Sequence, residues 1–463
     1  MTDKNKTHIL NSSFRDRSGF LFSKENILYR QINHSYKEHY DFLMDSGIYS
    51  LLSEKNVLIS HEEVNINNKY NDNAYKIIKP EYIPFISYPY EWCFSQLKDA
   101  ALLTLEIQEI AIKKGMILKD ASAYNIQFRH GKPIFIDTLS FEKYNYGEPW
   151  VAYHQFCKHF FAPLLLMKYK DVRLLQLLKT HIDGIPLNLT SKILPLKTYF
   201  VFSILTHIHL HAKSQKHFEN KKINQQNKKI KLSSLIGIID NLKSFIQNFK
   251  PEKLKSAWSD YAAISNYSDV AINHKKQIID TFLSKSGFHT VWDIGANNGI
   301  FSRIASNKGF QTYSFDSDPY VVEENYLNCR KNNDTNILPL LIDITNPSPG
   351  IGWVNLERIS LCERTKPDII MSLALIHHLV ISDNLPFEKI AEYFSGLCKI
   401  LIIEFIPKTD SQIQKLLNTR KDCFDFYSQV NFEMAFSAFF SFIQKIKIND
   451  SKRTIYLMQT LER

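Results

Sequence analysis

Glycine is scarce, with 14 in 463 residues; the six cysteines form no C-x-x-C pair, and no apolar run is long enough to cross a bilayer. Each scarcity excludes something. So few glycines argue against an extended disordered chain. The cysteines, at 93, 157, 329, 362, 398 and 423, lack zinc-ligand spacing and read as reduced thiols, as in a cytosol. The longest apolar stretch, Tyr199 to Leu210, is short and carries His207 and His209, so it is expected to be a buried helix. Met1 to Arg17 is polar and has no apolar signal core, so a cytoplasmic location is expected.

What remains is a globular composition, 44% hydrophobic and 22% charged, in a chain too long for one ordinary core. The net charge of +10 owes much to seven lysines between Lys213 and Lys231, against the single acid Glu219. That run reads as a solvated linker or an exposed helix face, with nucleic-acid or membrane binding the less favoured alternative. Composition shifts at Ala212. An α+β domain is expected over 1–211, a basic linker ending in a helix over 212–257, and a second domain over 258–463.

From about residue 275, helical patterns alternate with apolar strand-like runs, as a mostly parallel sheet covered by helices requires. The last segment, FIQKIKINDSKRTIYLMQTL, predicts a terminal antiparallel hairpin. Within the alternation, VWDIGANNGIFS joins a strand, an acid, a small-residue turn and a helix start. Gly295 and Gly299 let a ligand approach the backbone, and Asn297 tolerates left-handed geometry where many nucleotide loops have a second glycine. The next strand ends in Asp316, placed to accept from ribose hydroxyls, and a third ends near Asp343, placed for an adenine edge. Asp293, directly before the turn, is awkward beside a pyrophosphate but suits a cationic sulfonium. NAD is therefore the second choice of cofactor.

The segments DIGANNGIFS, FDSD, LPLLIDITNPSPGIGW, ERISL, LALIHHL and IIEFIPKTDSQ resemble class I methyltransferases, specifically the nodulation-protein-like group, over most of residues 258–463. The resemblance implies a Rossmann-like domain binding S-adenosylmethionine. Asp293, Gly295, Asn297 and Gly299 would lie at the methionine end, Asp316 at the ribose and Asp343 at the adenine. It leaves the acceptor open.

The fourth strand region, DIIMSLALIHHL, lacks the N/D-P-P-Y/F motif of enzymes that methylate amino groups of bases and glutamine. His377 and His378, followed by Asp383, instead resemble the L-H-x-W-S-D stretch of small-molecule O-methyltransferases, although Val380 and Ile381 depart from it. Imidazole suits deprotonation of a hydroxyl, so His377 is the first candidate base and His378 the second; a structural histidine pair is the competing reading. Glu404 is expected near the same crevice without an assigned role. The acceptor is expected to be a small molecule, with RNA as the less favoured partner.

In the first half, LKDASAYNIQFRHGKPIFID places Asp120, Asn125 and Asp137 in a spacing that resembles the catalytic and metal-binding loops of kinase-like folds. That resemblance implies ATP and magnesium in this domain. Thr138 and Leu139 stand where Phe-Gly is expected, and only Gly19 and Gly47 precede Lys114, so no phosphate-covering loop is evident. A degenerate lobe is the competing reading. The aromatic segment Ile86 to Leu97 is read as core.

Overall fold

Glu25 and Asn26, both with positive φ (53° and 63°), turn the first apolar segment back on itself. The result is the hairpin of β2 (Gly19–Lys24) and β3 (Ile27–Asn33), paired from Gly19↔Ile32 to Lys24↔Ile27. The computed structural model describes residues 7–66, 73–213, 229–250, 267–284, 287–418 and 422–462. These fall into two compact units, Met1–Glu252 with Pro349–Ile359, and Lys253–Ser348 with Ser360–Arg463.

In the first unit the hairpin joins β1 (His8–Ile9), β4 (His61–Glu63) and β5 (Ala74–Pro80) in an antiparallel sheet of order β1-β2-β3-β5-β4. Helix α1 (Phe94–Lys113) follows, and the aromatic segment before it is core, with Tyr90, Trp92 and Phe94 all buried. Strands β6 (Met116–Leu118) and β9 (Phe141–Lys143) pair with each other. Between them lies the hairpin of β7 (Ile126–Arg129) and β8 (Lys132–Phe135), turned at His130 and Gly131 as the run RHGK predicts.

Two expectations change here. The stretch Tyr199 to Leu210 is only half buried: Ile204, His207, Ile208 and His209 face inward, whereas Phe200 and Phe202 are exposed. Its buried histidines are satisfied, His207 by Tyr153 and Asn241, and His209 by Ser191 and Thr198. The helix read as the end of a linker, α2 (Leu232–Gln247), buries Leu235, Ile239, Leu242 and Ile246 and belongs to the first unit. Lys243 pairs with Glu109 of α1 at 2.7 Å, and Lys98 donates to the carbonyls of Gln247 and Phe249, completing the end of α2. Lysines 216, 221, 222 and 228 of the basic run lie outside the described residues.

Pro349–Ile359, read from sequence as part of the C-terminal domain, also groups with the first unit. Glu357 receives Arg15 at 2.9 Å, and the Arg358 guanidinium lies 4.4 Å from the Tyr124 ring centroid.

The second unit is built on β10 (Thr290–Ile294), β11 (Gln311–Asp316), β12 (Ile337–Leu341), β13 (Ile369–Ser372), β14 (Ile400–Phe405), β15 (Phe440–Lys447) and β16 (Thr454–Thr460). Their order is β12-β11-β10-β13-β14-β16-β15. The first five are parallel and β16 runs antiparallel to both neighbours, a Rossmann-like arrangement with the terminal antiparallel hairpin that the sequence predicts. All of β13 and β14 is buried, as central strands covered on both faces must be. Helix α3 (Asp269–Ser284) contributes Ala271, Ile278, Ile279, Phe282 and Leu283 to the core beside Val291, Ile369 and Ile402. Helices α4 (Ile300–Asn307) and α5 (Pro319–Asn332) follow β10 and β11.

Candidate functional site

The parallel strands end together, which brings the loops after β10, β11, β12 and β13 to one edge of the sheet, the usual ligand position in open α/β folds. After Ile294 the backbone passes through Gly295 (φ 74°), Asn297 (φ 50°) and Gly299 (φ 79°) into α4. A Cβ on Gly299 would lie 2.3 Å from the Asn325 side-chain oxygen, so both space and torsion demand glycine there. The amides of Gly295 and Ala296 donate to the Phe315 carbonyl, tying the loop to β11.

Asp316 closes the loop from the other side, accepting the Asn297 amide at 2.9 Å and the Asp318 amide at 3.0 Å. Burial pushes its carboxyl up to about 6, against the pull of those amides. Asp293, expected at the methionyl end, is 2% exposed; it accepts from Ser302 at 2.6 Å, and Ser314 donates in turn to Ser302. It thereby pins the first turn of α4 to the strand end. Burial raises it to about 6 as well. Asp343 lies two residues beyond β12, exposed, and accepts both the amide and the hydroxyl of Thr345.

Beyond β13 the chain passes through Ala374 in the left-handed region (φ 53°), a strain that marks this turn and that no sequence pattern announced. His377 follows at 2% exposure, its ring 4.1 Å from that of His378, and its Nδ1 has no hydrogen-bond partner among the described residues. Burial, then His378 beside it and the charges of Arg453 and Lys275, hold His377 well below the ordinary imidazole range; burial alone lowers His378 to about 4. Both rings are therefore neutral at neutral pH.

Glu404 belongs to a buried ionic network rather than to the imidazoles. Lys275 donates to it at 2.6 Å, Tyr267 also donates, and Arg453 stands 3.7 Å away while holding Asp410 at 2.8 Å. Burial raises the Glu404 carboxyl, but the Lys275 and Arg453 charges outweigh it and keep the group below its usual range. Lys275 was missed in the sequence, although a signal existed: it falls on the apolar stripe of α3 between Ala271 and Ile278. Arg453 carried no local signal.

In the first unit Asp120, Asn125 and Asp137 do come together. Asp120 accepts from the Ser122 amide and Gln155, and its carboxyl is raised by burial and by the Asp137 charge. Asn125 donates to Ser140. Both Asp137 oxygens are taken: one by Arg30 at 2.5 Å and the Leu139 amide, the other by the Ser140 hydroxyl. Arg30 also holds Asp16 at 2.8 Å. An internal guanidinium thus stands where magnesium was expected, and this donor set does not fit the metal. No group of three or more His, Cys, Asp or Glu among the described residues is arranged for a metal ion.

No family model matches the chain. It is 30% identical over 458 residues to nodulation protein NoeA of Rhizobium meliloti (strain 1021), covering 97% of this chain and 96% of that one. Among solved structures it is similar to the N-methyltransferase NodS of Bradyrhizobium japonicum WM9 (9% identity, 42% of this chain and 99% of that one, TM-score 0.32). It is also similar to a putative O-methyltransferase of Nostoc punctiforme PCC 73102 (16% identity, 44% and 60%, TM-score 0.34).

Proposed function

The chain belongs to the nodulation protein NoeA family, and from that premise we propose that its second unit is an S-adenosylmethionine-dependent methyltransferase acting on a hydroxyl of a small molecule. One observation carries the reading. The Asp316 carboxylate sits against the left-handed Gly295–Gly299 loop at the carboxyl edge of a parallel sheet, with its charge already held at a desolvation cost. Such a group is placed to accept from two ribose hydroxyls. A hydroxyl ligand would repay part of that cost.

The chain's residues divide the work. Loop amides and the two glycines allow close approach, Asp316 holds the ribose, Asp343 offers an acceptor to the adenine, and Asp293 keeps α4 fixed behind the loop. When bound, S-adenosylmethionine supplies an activated methyl carbon. His377, kept neutral by its surroundings, receives the proton of the acceptor hydroxyl. Because its pKa is lowered, it does so only as the new C–O bond forms and the hydroxyl acidifies. The missing N/D-P-P-Y/F motif favours oxygen over amino nitrogen as the atom methylated.

Calorimetric titration with S-adenosylhomocysteine tests the site. Binding by the parent chain and roughly thirtyfold or greater weakening in Asp316→Ala are expected, from loss of two charge-assisted hydrogen bonds; equal affinities would overturn the assignment. His377→Asn should keep that affinity while lowering transfer of labelled methyl groups into a cell extract. The same titration addresses phosphotransfer. With Arg30 seated on Asp137, ATP with magnesium should give no heat, and saturable binding would restore a kinase-like reading of the first unit. RNA as acceptor predicts salt-sensitive binding through the lysine run.

A further inference from the structure

A short turn in the first unit carries large apolar side chains into solvent: Leu196 is 81% exposed, Phe200 90% and Phe202 70%. A floppy loop would hide such groups against its own body. This one is held out. Thr198 donates to the Pro195 carbonyl at 2.7 Å and meets His209 Nε2 at 2.9 Å, while His209 Nδ1 meets Ser191 at 2.8 Å. The Tyr199 ring stacks on His209 at 3.7 Å between centroids. The tip is therefore braced by a buried histidine, and little ordering entropy remains to oppose docking.

Charge around the tip has one sign along the chain. No acidic residue occurs between Asp183 and Glu219, while Lys192, Lys197 and Lys213 in that stretch are exposed. Lys197, within the tip itself, lies 5.8 Å from the Tyr169 ring, and nearby Asp171 is paired with Arg173 at 2.6 Å. We propose that this tip docks on an anionic lipid surface, with Leu196, Phe200 and Phe202 entering the interfacial layer and the lysines meeting the headgroups. Aromatic and aliphatic tips flanked by lysine are suited to that boundary. A second copy of the chain is disfavoured, because a two-fold contact through the tip would set Lys197 against its own twin. Nucleic acid is disfavoured because no arginine accompanies the lysines between Gly184 and Phe218. The surface lies apart in sequence from every residue of the proposed methyl-transfer site. No helix among the described residues is long and apolar enough to cross a membrane, so the contact is peripheral.

Co-sedimentation of the full chain with vesicles of phosphatidylcholine alone, or with phosphatidylglycerol added, tests the proposal. Expected are binding only to the anionic vesicles, weakening with salt, and about tenfold loss of partition in Phe200→Ser and again in Phe202→Ser. Lys197→Gln should cost about fivefold, on anionic vesicles. These positions are exposed, so circular dichroism and thermal melting should match the parent. Three outcomes would overturn the proposal: equal sedimentation of the parent and a Leu196→Ser, Phe200→Ser, Phe202→Ser triple variant; a dimer in light scattering that the triple variant abolishes; or RNA binding in gel shift without vesicle binding.

Discussion

If Asp316 accepts hydrogen bonds from a ribose, it must be ionised to bind, and its carboxyl is pushed up to about 6 in the free protein. The affinity for S-adenosylhomocysteine should then depend on pH where ordinary carboxylates no longer titrate. For a single group the observed association constant falls by the factor 1 + 10^(pKa − pH), so binding at pH 5 should be about elevenfold weaker than the high-pH plateau, or about 1.4 kcal/mol. At pH 7 the loss is only about a tenth. The sign is fixed: binding favours the deprotonated form, so protons are released on binding near pH 6 and affinity rises with pH.

Calorimetry between pH 5 and 8, in buffers of differing ionisation enthalpy, reads both the slope and the protons released. A slope of one identifies a single carboxylate. Asp293, also raised to about 6, is committed to Ser302, and a slope of two would mean that it too must ionise for the ligand. Asp316→Asn should bind more weakly and without this pH dependence. A parent affinity flat from pH 5 to 7.5 would refute the reasoning, because the ionised carboxylate would then not be what the ligand requires.

Further outcomes follow from the buried charges. Asp293 has a folded-state pKa raised above its ordinary 3.8, so its contribution to stability is lost as pH rises from about 4 to about 6; Asp293→Asn should raise the unfolding free energy in urea at pH 7.5 by up to about 3 kcal/mol, with the gain shrinking toward pH 4. Lys275→Met strands Glu404 in the core and should cost about 3–5 kcal/mol in urea unfolding, partly recovered by adding Glu404→Gln; a loss under about 1 kcal/mol would show that Arg453 alone suffices. Arg30→Met removes the cation shared by Asp16 and Asp137, and a denaturation midpoint no lower than the parent's would contradict the ion-pair reading of the first unit.

The parts of this fold that the sequence made legible are those fixed by neighbours along the chain. Alternating apolar strands and helices, the turn at Gly295 to Gly299 and the RHGK hairpin are local patterns, and the β11 register that sets Asp316 beside Asn297 follows from them. Residues recruited from afar were not legible. Arg453 reaches Glu404 from the last hairpin, and Pro349–Ile359 leaves the domain whose sequence surrounds it. His377 shows the limit from the other side: its neighbours resembled a catalytic pair, yet its basicity depends first on burial, then on His378 beside it, and then on Arg453 and Lys275, which lie far from it in the chain.

The first unit makes the same point with opposite effect. Spacing alone gathered Asp120, Asn125 and Asp137, and the folded chain does bring them together around a raised carboxyl. What spacing could not convey is the counter-charge. Arg30, from the central strand of the N-terminal sheet, arrives between Asp16 and Asp137 and offsets part of the cluster's charge with a covalently tethered cation. A tethered cation loses little entropy on pairing and cannot diffuse away. Magnesium would have to displace a bidentate-capable guanidinium from a nearly buried position, and then bind an aspartate whose remaining oxygen is held by Ser140. Three ligand-type residues at the right spacing therefore do not define a metal site until the charges that fold in beside them are known.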